Sequence, residues 1–331
     1  MKGDTGILVT GGAGYIGSHC ARRLHAEGYR PIAIDSLDQG HPDAIPEIPL
    51  IKANISDRAK LSEIIRKHRV SAVFHFAANC CVGESVTSPE RYYRNNVVNS
   101  LALLDTLIAE GVGRIIFSSS CAVYGEPTEI PIPETAPTDP TNPYGRTKLA
   151  FEHALESYRK AYDVRYASLR YFNAAGADPE GRFGESHDPE THLIPLLLRT
   201  ASEQEAPFEI YGDDYDTPDG TCVRDFVHVD DLIEAHLLCL EHLEDAPSGI
   251  YNVGTGCGAS VSEVVRCAET VMGRSVPLRI GPRREGDPPV LVADSSRIQQ
   301  ELGWKPRSSS LETIVETAWH WHRTHPNGYT Q

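Results

Sequence analysis

Tyr144 and Lys148 stand four residues apart in Tyr144-Gly-Arg-Thr-Lys148, directly after Pro143. On a helix that spacing brings a phenol and an ammonium onto one face. A phenol ionises near pH 10, so a phenolate working near neutrality needs roughly 4 kcal/mol of preferential stabilisation. Lys148 supplies one positive charge toward this and a second cation bound beside the phenol would supply another, both strengthened by low-dielectric surroundings. With fourteen tyrosines in the chain one chance match is unsurprising, so the pair needs support from elsewhere. Support comes from Ser118-Ser119-Ser120, which closes the strand-like run Arg114–Ser118 and should open at the carboxyl edge of a sheet. A hydroxyl there can share a proton with the tyrosine. Ser120, Tyr144 and Lys148 are therefore the candidate catalytic set, with Tyr144 as the acid/base.

Such a set needs a scaffold and a cofactor site. Gly11-Gly12-Ala13-Gly14-Tyr15-Ile16-Gly17 follows a first apolar run and opens a helix-like segment, the context that a dinucleotide fingerprint requires. Glycines let the backbone approach a pyrophosphate, whose charge then lies among the unsatisfied N–H groups of the helix terminus. The spacing fits both Gly12-x-Gly14-x-x-Gly17 and Gly11-x-x-Gly14-x-x-Gly17, and by itself selects neither. Asp35 ends the second run about twenty residues on, where a carboxylate accepts from both hydroxyls of an adenosine ribose and repels a 2′-phosphate. No arginine follows it directly, so NAD is expected rather than NADP.

The runs Ile7–Thr10, Pro31–Asp35, Ala72–Phe76, Arg114–Ser118 and Val164–Arg170 alternate with helical patterns. Strands apolar on both faces, separated by helices, predict an α/β fold: a Rossmann-type doubly wound parallel sheet. After about Asn173 the pattern turns loop-rich, with helices near Leu193–Glu203, Asp230–Leu243 and Ser260–Met272. Ser260-Val-Ser-Glu263 has capping-box spacing. The expected organisation is an NAD-binding domain over 1–173, to which some later segments return, and a smaller mixed α/β substrate lobe over 174–331, packed together.

Composition narrows the partners. The formal charge of −15 repels polyanions, so nucleic acid and anionic membranes are not expected partners, and an anionic ligand needs a local basic pocket. No stretch approaches the ~20 apolar residues of a membrane span. Met1–Thr10 runs into a strand-like segment without a signal-peptide core, and cytoplasmic residence is the expectation. Eight cysteines, with Cys80 and Cys81 adjacent, form no C-x-x-C pair and read as reduced thiols. His320, His322 and His325 lie on a terminal amphipathic segment without a fourth ligand, and no metal is expected.

Gly-Gly-Ala-Gly-Tyr-Ile-Gly-Ser-His, Ser-Ser-Ser-Cys-Ala-Val-Tyr-Gly, Asn-Pro-Tyr-Gly-Arg-Thr-Lys and Arg-Tyr-Phe-Asn-Ala-Ala-Gly resemble the extended short-chain dehydrogenase/reductases. That resemblance selects the glycine pattern with three-residue spacing. Tyr211-Gly-Asp-Asp-Tyr, Asp219-Gly-Thr-Cys-Val-Arg-Asp-Phe-Val-His, Arg283-Arg-Glu-Gly-Asp287 and His-Pro-Asn-Gly-Tyr329 are similar to the UDP-glucose 4-epimerase group within that family, so nearly the whole chain is covered. Sugar dehydratases of the superfamily carry an Asp-Glu pair after the catalytic hydroxyl. Here Cys121 and Ala122 take those positions, so elimination lacks its acid and base.

The resemblance implies that Tyr144 takes the proton of a sugar C4 hydroxyl, assisted by Ser120, while the C4 hydride passes to NAD. The 4-keto sugar then turns and receives the hydride on its other face, inverting C4. It implies cofactor contacts from Gly11, Gly14, Tyr15, Ile16, Gly17, Asp35, Ser36, Gln39, Gly40, Asn54, Ile55, Phe76, Ala77, Ala78, Cys80, Asn96, Ser118, Tyr144, Lys148 and Phe172. Substrate contacts are implied for Ser120, Tyr144, Asn173, His192, Leu193, Arg224, Leu291 and Arg284, with Asp287 holding uridine hydroxyls and Ile210, Tyr211 and Gly212 lining the base. Guanidinium forks suit phosphate oxygens and would make the basic pocket that the overall charge lacks.

Several positions depart from relatives. Asn54 replaces an aspartate facing adenine, with an amide oxygen able to accept from the adenine amine. Cys80 stands in place of a lysine, His192 of an asparagine, and Leu291 of a tyrosine that narrows the sugar pocket. A UDP-pentose or UDP-N-acetylhexosamine is thus an alternative substrate, and a non-catalytic sensor of NAD or sugar nucleotide is the competing class. The resemblance further implies a homodimer through Pro89–Glu110 and Tyr144–Tyr162.

Overall fold

Short apolar runs rich in valine and isoleucine become strands here because both of their faces are covered. The computed structural model of the chain describes residues 5–203, 207–284 and 286–329. Every residue of β1 (Gly6–Thr10) is buried. It is followed by α1 (Tyr15–Ala26), β2 (Arg30–Asp35), β3 (Leu50–Lys52), α2 (Arg58–His68) and β4 (Val70–His75). Next come α3 (Val82–Thr87) and α4 (Pro89–Tyr92), the latter running through a π-helical segment, Tyr93–Asn99, into α5 (Ser100–Ala109). Then follow β5 (Arg114–Ser118), α6 (Pro143–Tyr162) and β6 (Arg165–Tyr171).

Among the described residues the main sheet has the order β3-β2-β1-β4-β5-β6, with a later strand, Gly249–Val253, on the outer edge of β6. The pairings from β3 to β6 are all parallel. The order reverses between β1 and β4, and doubly wound sheets take their ligands outside the strands' carboxyl ends at such a switch point. Leu8, Ile34, Leu61, Val73, Leu104, Phe117 and Phe151 belong to the core that joins this sheet to α2, α5 and α6. The doubly wound sheet is the one that the alternation of runs predicts. Strand ends differ from the expected ranges by one or two residues, where ladders fray.

The remainder comprises β7 (Asn173–Ala175), α7 (Leu193–Glu203), β8 (Phe208–Tyr211), β9 (Val223–His228), α8 (Val229–His242) and β10 (Gly249–Val253). It continues with β11 (Gly258–Ser260), α9 (Val261–Met272), β12 (Leu278–Gly281), β13 (Val290–Leu291), α10 (Ser296–Leu302) and α11 (Leu311–Thr324). β9 is the centre of a small mixed sheet with β7, β11 and β13, and β8 pairs with β12 in parallel. Leu197, Leu198, Val264, Ile314 and Val315 form the core under α7, α9 and α11. The capping box is present: Ser260 Oγ accepts from Glu263 N at 3.0 Å while Ser260 N donates to Glu263 Oε2 at 2.8 Å.

The chain divides into two compact units interleaved in sequence. The first holds Met1–Gly125, Thr138–Arg170 and Ile233–Tyr251; the second holds Glu126–Pro137, Tyr171–Leu232 and Asn252–Gln331. None of the described helices is long and apolar enough to cross a membrane.

Candidate active site

In the first unit, Asn142-Pro143 starts α6 for a local reason. Asn142 caps the helix, its Oδ1 accepting from Gly145 N at 2.9 Å, and Pro143 fills the first helical position, where no N–H is needed. That start sets the phase of Tyr144 and Lys148. Gly145 then permits close approach: a Cβ there would lie 2.4 Å from the carbonyl oxygen of Ala122. The first turn of α6 is thereby packed on the turn that follows Ser120. Ser120 caps a short 3-10 turn, Cys121–Val123, its Oγ accepting from Ala122 N at 3.1 Å, and its side chain is buried.

Lys148 is 3% exposed, and its Nζ donates to Ser118 O at 2.7 Å. The ammonium lies 5.7 Å from the Tyr144 ring centroid and 5.1 Å from that of Phe117. Burial pushes its pKa down to about 8, against the opposing pull of Cys80 and Glu152. It is still a cation at neutral pH, held beside the phenol.

The glycine turn fits a dinucleotide. Gly11 has φ of +65°, a conformation that L side chains resist, and a Cβ on Gly17 would fall 2.0 Å from Gly11 O. By contrast a Cβ at Gly14 would meet only Gly11 O, at 3.4 Å, so this edge of the turn is open. Gly14 is the N-cap of α1 and offers no side chain to its N–H groups, and the first turn carries no acid. An anion suits such a terminus. Asp35 is buried, and its two oxygens accept from Ala13 N at 3.0 Å and Leu37 N at 2.8 Å, leaving acceptor capacity on both for a pair of ribose hydroxyls. Burial raises its pKa, and those two N–H groups oppose the rise. The loop with Ser36, Gln39 and Gly40 is tied back to the glycine turn by His41 N donating to Ala13 O at 2.8 Å. These donors and acceptors fit NAD.

Other expected cofactor residues take definite places. Tyr15 and Ile16 open α1, and Ile55 is buried in the core. Phe76 N continues the β1 ladder to Thr10 O at 3.1 Å, and Ala77 to Cys80 form the loop beyond. Asn96, in the π-helical segment, accepts from Asn79 N at 2.8 Å and donates to Asn79 O at 3.0 Å and to Thr147 Oγ1 at 3.1 Å. It pins this loop to α6. Asn54 corrects an expectation: its Oδ1 already accepts from Ser56 N at 2.9 Å and Ser56 Oγ at 2.8 Å. Both oxygen lone pairs serve a local turn, so the amide NH₂ is the group left for a base. Phe172 falls in the second unit, its N–H bonded to Val253 O at 3.3 Å.

Within the second unit, Arg224 on β9 is in register with Leu291 on β13 and is ion-paired to Asp287. Arg284 lies over the Tyr211 ring at 3.9 Å. Ile210 is buried, and Gly212 N bonds Gly281 O at 3.0 Å. Asn173 Nδ2 donates to Asp225 O at 3.1 Å. Leu193 begins α7, and His192 immediately before it turns Nδ1 to Glu185 Oε1 at 2.7 Å.

Sequence reasoning missed several groups. Glu152, one helical step beyond Lys148, is buried in a two-pronged pair with Arg170, at 3.0 and 2.6 Å, and accepts from Ser119 Oγ at 2.5 Å. The i, i+4 stride from Tyr144 through Lys148 to Glu152 was the available signal. His75, buried between Thr10 Oγ1 at 2.7 Å and Ser100 Oγ at 2.9 Å, has its pKa pushed down to about 3 by burial, with the Lys148 charge adding to it. Asp225, buried in the second unit, accepts from Thr255 N and Oγ1, Gly256 N and Ala293 N. Glu185, His187, Glu190 and His192 also converge, a grouping that ligand spacing in the sequence did not single out. Of the histidines considered as metal ligands, His325 stacks on Trp321 and His320 bonds Pro179 O, while His322 is near enough to feel the charges of Glu185 and Glu190.

A doubly wound sheet with its glycine turn at the order reversal, an acid at the end of β2 and a tyrosine–lysine pair on α6 defines a class: dinucleotide-dependent oxidoreduction at a carbon bearing a hydroxyl. The model of the NAD dependent epimerase/dehydratase family matches residues 7–254. The chain is 50% identical over 325 residues to the UDP-glucose 4-epimerase of Halalkalibacterium halodurans, covering 98% of this chain and 97% of that one. It is also similar to the crystal structure of UDP-glucose 4-epimerase from Brucella ovis in complex with NAD, with a TM-score of 0.93 and 48% identity over 96% of this chain and 98% of that one. The Bifidobacterium longum enzyme in complex with NAD+ and UDP gives a TM-score of 0.94 at 38% identity, over 98% and 100% of the two chains. This chain belongs to the NAD dependent epimerase/dehydratase family, and NAD is its cofactor.

Proposed function

We propose that the chain is an isomerase that interconverts UDP-glucose and UDP-galactose by inverting C4 of the sugar. The observation that carries this reading is the turn after Ser120. It begins with the buried Ser120, lies through Ala122 against the first turn of α6, the helix that bears Tyr144 and Lys148, and holds Cys121 and Ala122 rather than carboxylates. Oxidation and re-reduction are provided for; elimination of water is not.

When bound, the nicotinamide of NAD supplies the hydride acceptor and returns the hydride. Tyr144 removes the C4 hydroxyl proton and gives it back, and Ser120 shares that proton by hydrogen bonding. Lys148 favours the phenolate by its charge, at a site where burial strengthens it. Asp35 orients the adenosine ribose. In the second unit, Arg224 and Arg284 serve the diphosphate and Asp287 the uridine hydroxyls, with Ile210–Gly212 against the base and Asn173, His192 and Leu193 completing the substrate contacts. The NAD-binding role belongs to the first unit in this reading, and sugar-nucleotide recognition mainly to the second.

Leu291, paired in register with Arg224, supports a second reading as the 4-epimerase of a UDP-pentose or UDP-N-acetylhexosamine, because leucine leaves room that tyrosine would fill. Incubation of the purified chain with UDP-galactose, UDP-N-acetylgalactosamine and UDP-arabinose, followed by chromatography, separates the readings. UDP-glucose should form fastest. Tyr144→Phe should lower turnover by at least about 10²-fold while NAD binding persists. Full activity in that variant defeats the mechanism, and inactivity toward all three sugars favours a sensor. We further infer a homodimer, and residence in the cytoplasm.

A further inference from the structure

The segment Glu185-Ser-His187-Asp-Pro-Glu190-Thr-His192, ahead of α7, folds four metal-capable side chains onto one point. One ligand atom from each of Glu185, His187, Glu190 and His192 lies within 4.8 Å of all the others. His187 Nδ1 is 3.3 Å from Glu185 Oε1 and 3.6 Å from Glu190 Oε2. His192 Nδ1 is 2.7 Å from Glu185 Oε1 and 3.3 Å from Glu190 Oε1. A tetrahedral ion with bonds of about 2.0–2.1 Å spaces its ligand atoms roughly 3.3–3.4 Å apart, so small movements complete the shell.

We infer that Glu185, His187, Glu190 and His192 form a binding site for a divalent transition-metal ion with the chemistry of zinc. Two imidazole nitrogens with two carboxylate oxygens suit that ion, whereas calcium and magnesium call for six or more oxygens. Two carboxylates with neutral imidazoles also cancel its charge. Both carboxylates are withdrawn from solvent, with the side chains of Glu185 and Glu190 only 6% and 3% exposed, so this is unlike a solvated acidic patch. The His192 side chain is 45% exposed and leaves an entry path.

The surroundings hold the ligands in place. Glu190 Oε1 accepts from Thr191 N at 2.7 Å and His192 N at 2.9 Å, which fixes the carboxylate. Trp321 of α11 donates to Glu185 O at 2.9 Å, and the Tyr329 hydroxyl bonds both Gly184 N and Gly184 O. The site is structural: it clasps 185–192 at the start of α7 and orients His192. Only that last effect rests on the substrate role given to His192 above.

The test uses the untagged full chain, stripped with a chelator and titrated with ZnCl₂ against a chromophoric competitor. One Zn²⁺ per chain is expected. His187→Ala and Glu190→Gln should each weaken binding by more than about 100-fold, since even outer-shell changes cost 10–100-fold. His320→Ala, on α11, should bind as the parent does. The parent stoichiometry decides even if a variant misfolds, and it is read without sugar or NAD, so it stands apart from the epimerase assay. Less than one Zn²⁺ bound by the parent, as four residues joined only by protonated-imidazole ion pairs would give, overturns the site, as does binding lost in His320→Ala but kept in the other two.

Discussion

At Lys148, burial and charge oppose one another. Its folded pKa of about 8 lies below the unfolded value near 10.4, so the unfolded chain binds more protons between those limits. The cost of burying the cation is therefore complete below pH 8 and fades as pH rises toward 10. Lys148→Met removes that cost, about 3 kcal/mol, and also the hydrogen bond to Ser118 O, worth about 1 kcal/mol. In urea unfolding of cofactor-free protein, the variant should be roughly 2 kcal/mol more stable than the parent at pH 6.5, with the advantage gone by pH 10. Turnover should fall about 10²-fold or more. A variant less stable at both pH values would show that the ammonium contributes net stability.

Among elements, α6 does the most positioning. Asn142 and Pro143 set its start, Gly145 its approach to the Ser120 turn, and Glu152 its link to β6 through Arg170. The same carboxylate bonds Ser119, so the helix face with Tyr144 and Lys148 and the strand end with Ser120 share an anchor. Glu152→Gln leaves Arg170 buried without its countercharge, and denaturant unfolding should show a loss of about 3–5 kcal/mol. Replacing the pair with Glu152→Leu and Arg170→Met should recover most of that loss. The helix and its Tyr144–Lys148 spacing were legible in the sequence because periodicity and capping are local. Arg170 was read only as the end of a strand, since nothing local reveals a partner eighteen positions away.

For the whole molecule, the outer faces of the helices from Val82 to Ala109 and of α6 matter most. Val82, Val86, Tyr93, Val98 and Tyr162 are large apolar side chains exposed there. Such a set is better covered by a second copy than by water. Light scattering coupled to gel filtration should give twice the 36.4 kDa chain mass, and Val98→Glu should shift the equilibrium toward the monomer. A monomeric parent at micromolar concentration overturns the homodimer.

What the sequence determined by itself was whatever depends on neighbours along the chain: the glycine turn opening α1, the acid ending β2, the capping box at Ser260, the stride from Tyr144 to Lys148, and Cys121 and Ala122 in the dehydratase positions. The alternation of strands and helices also carried the sheet, because parallel strands need crossovers and crossovers leave a period. Only the tertiary structure decided what depends on encounters in space. Asn54 turned its oxygen to Ser56, Arg224 met Asp287, and His75 was enclosed between two hydroxyls. Two histidines and two glutamates within eight residues face one another only where the loop is folded against α11. Sequence spacing reports direction only where the backbone is regular, and in that loop the direction of each side chain is set by what packs around it.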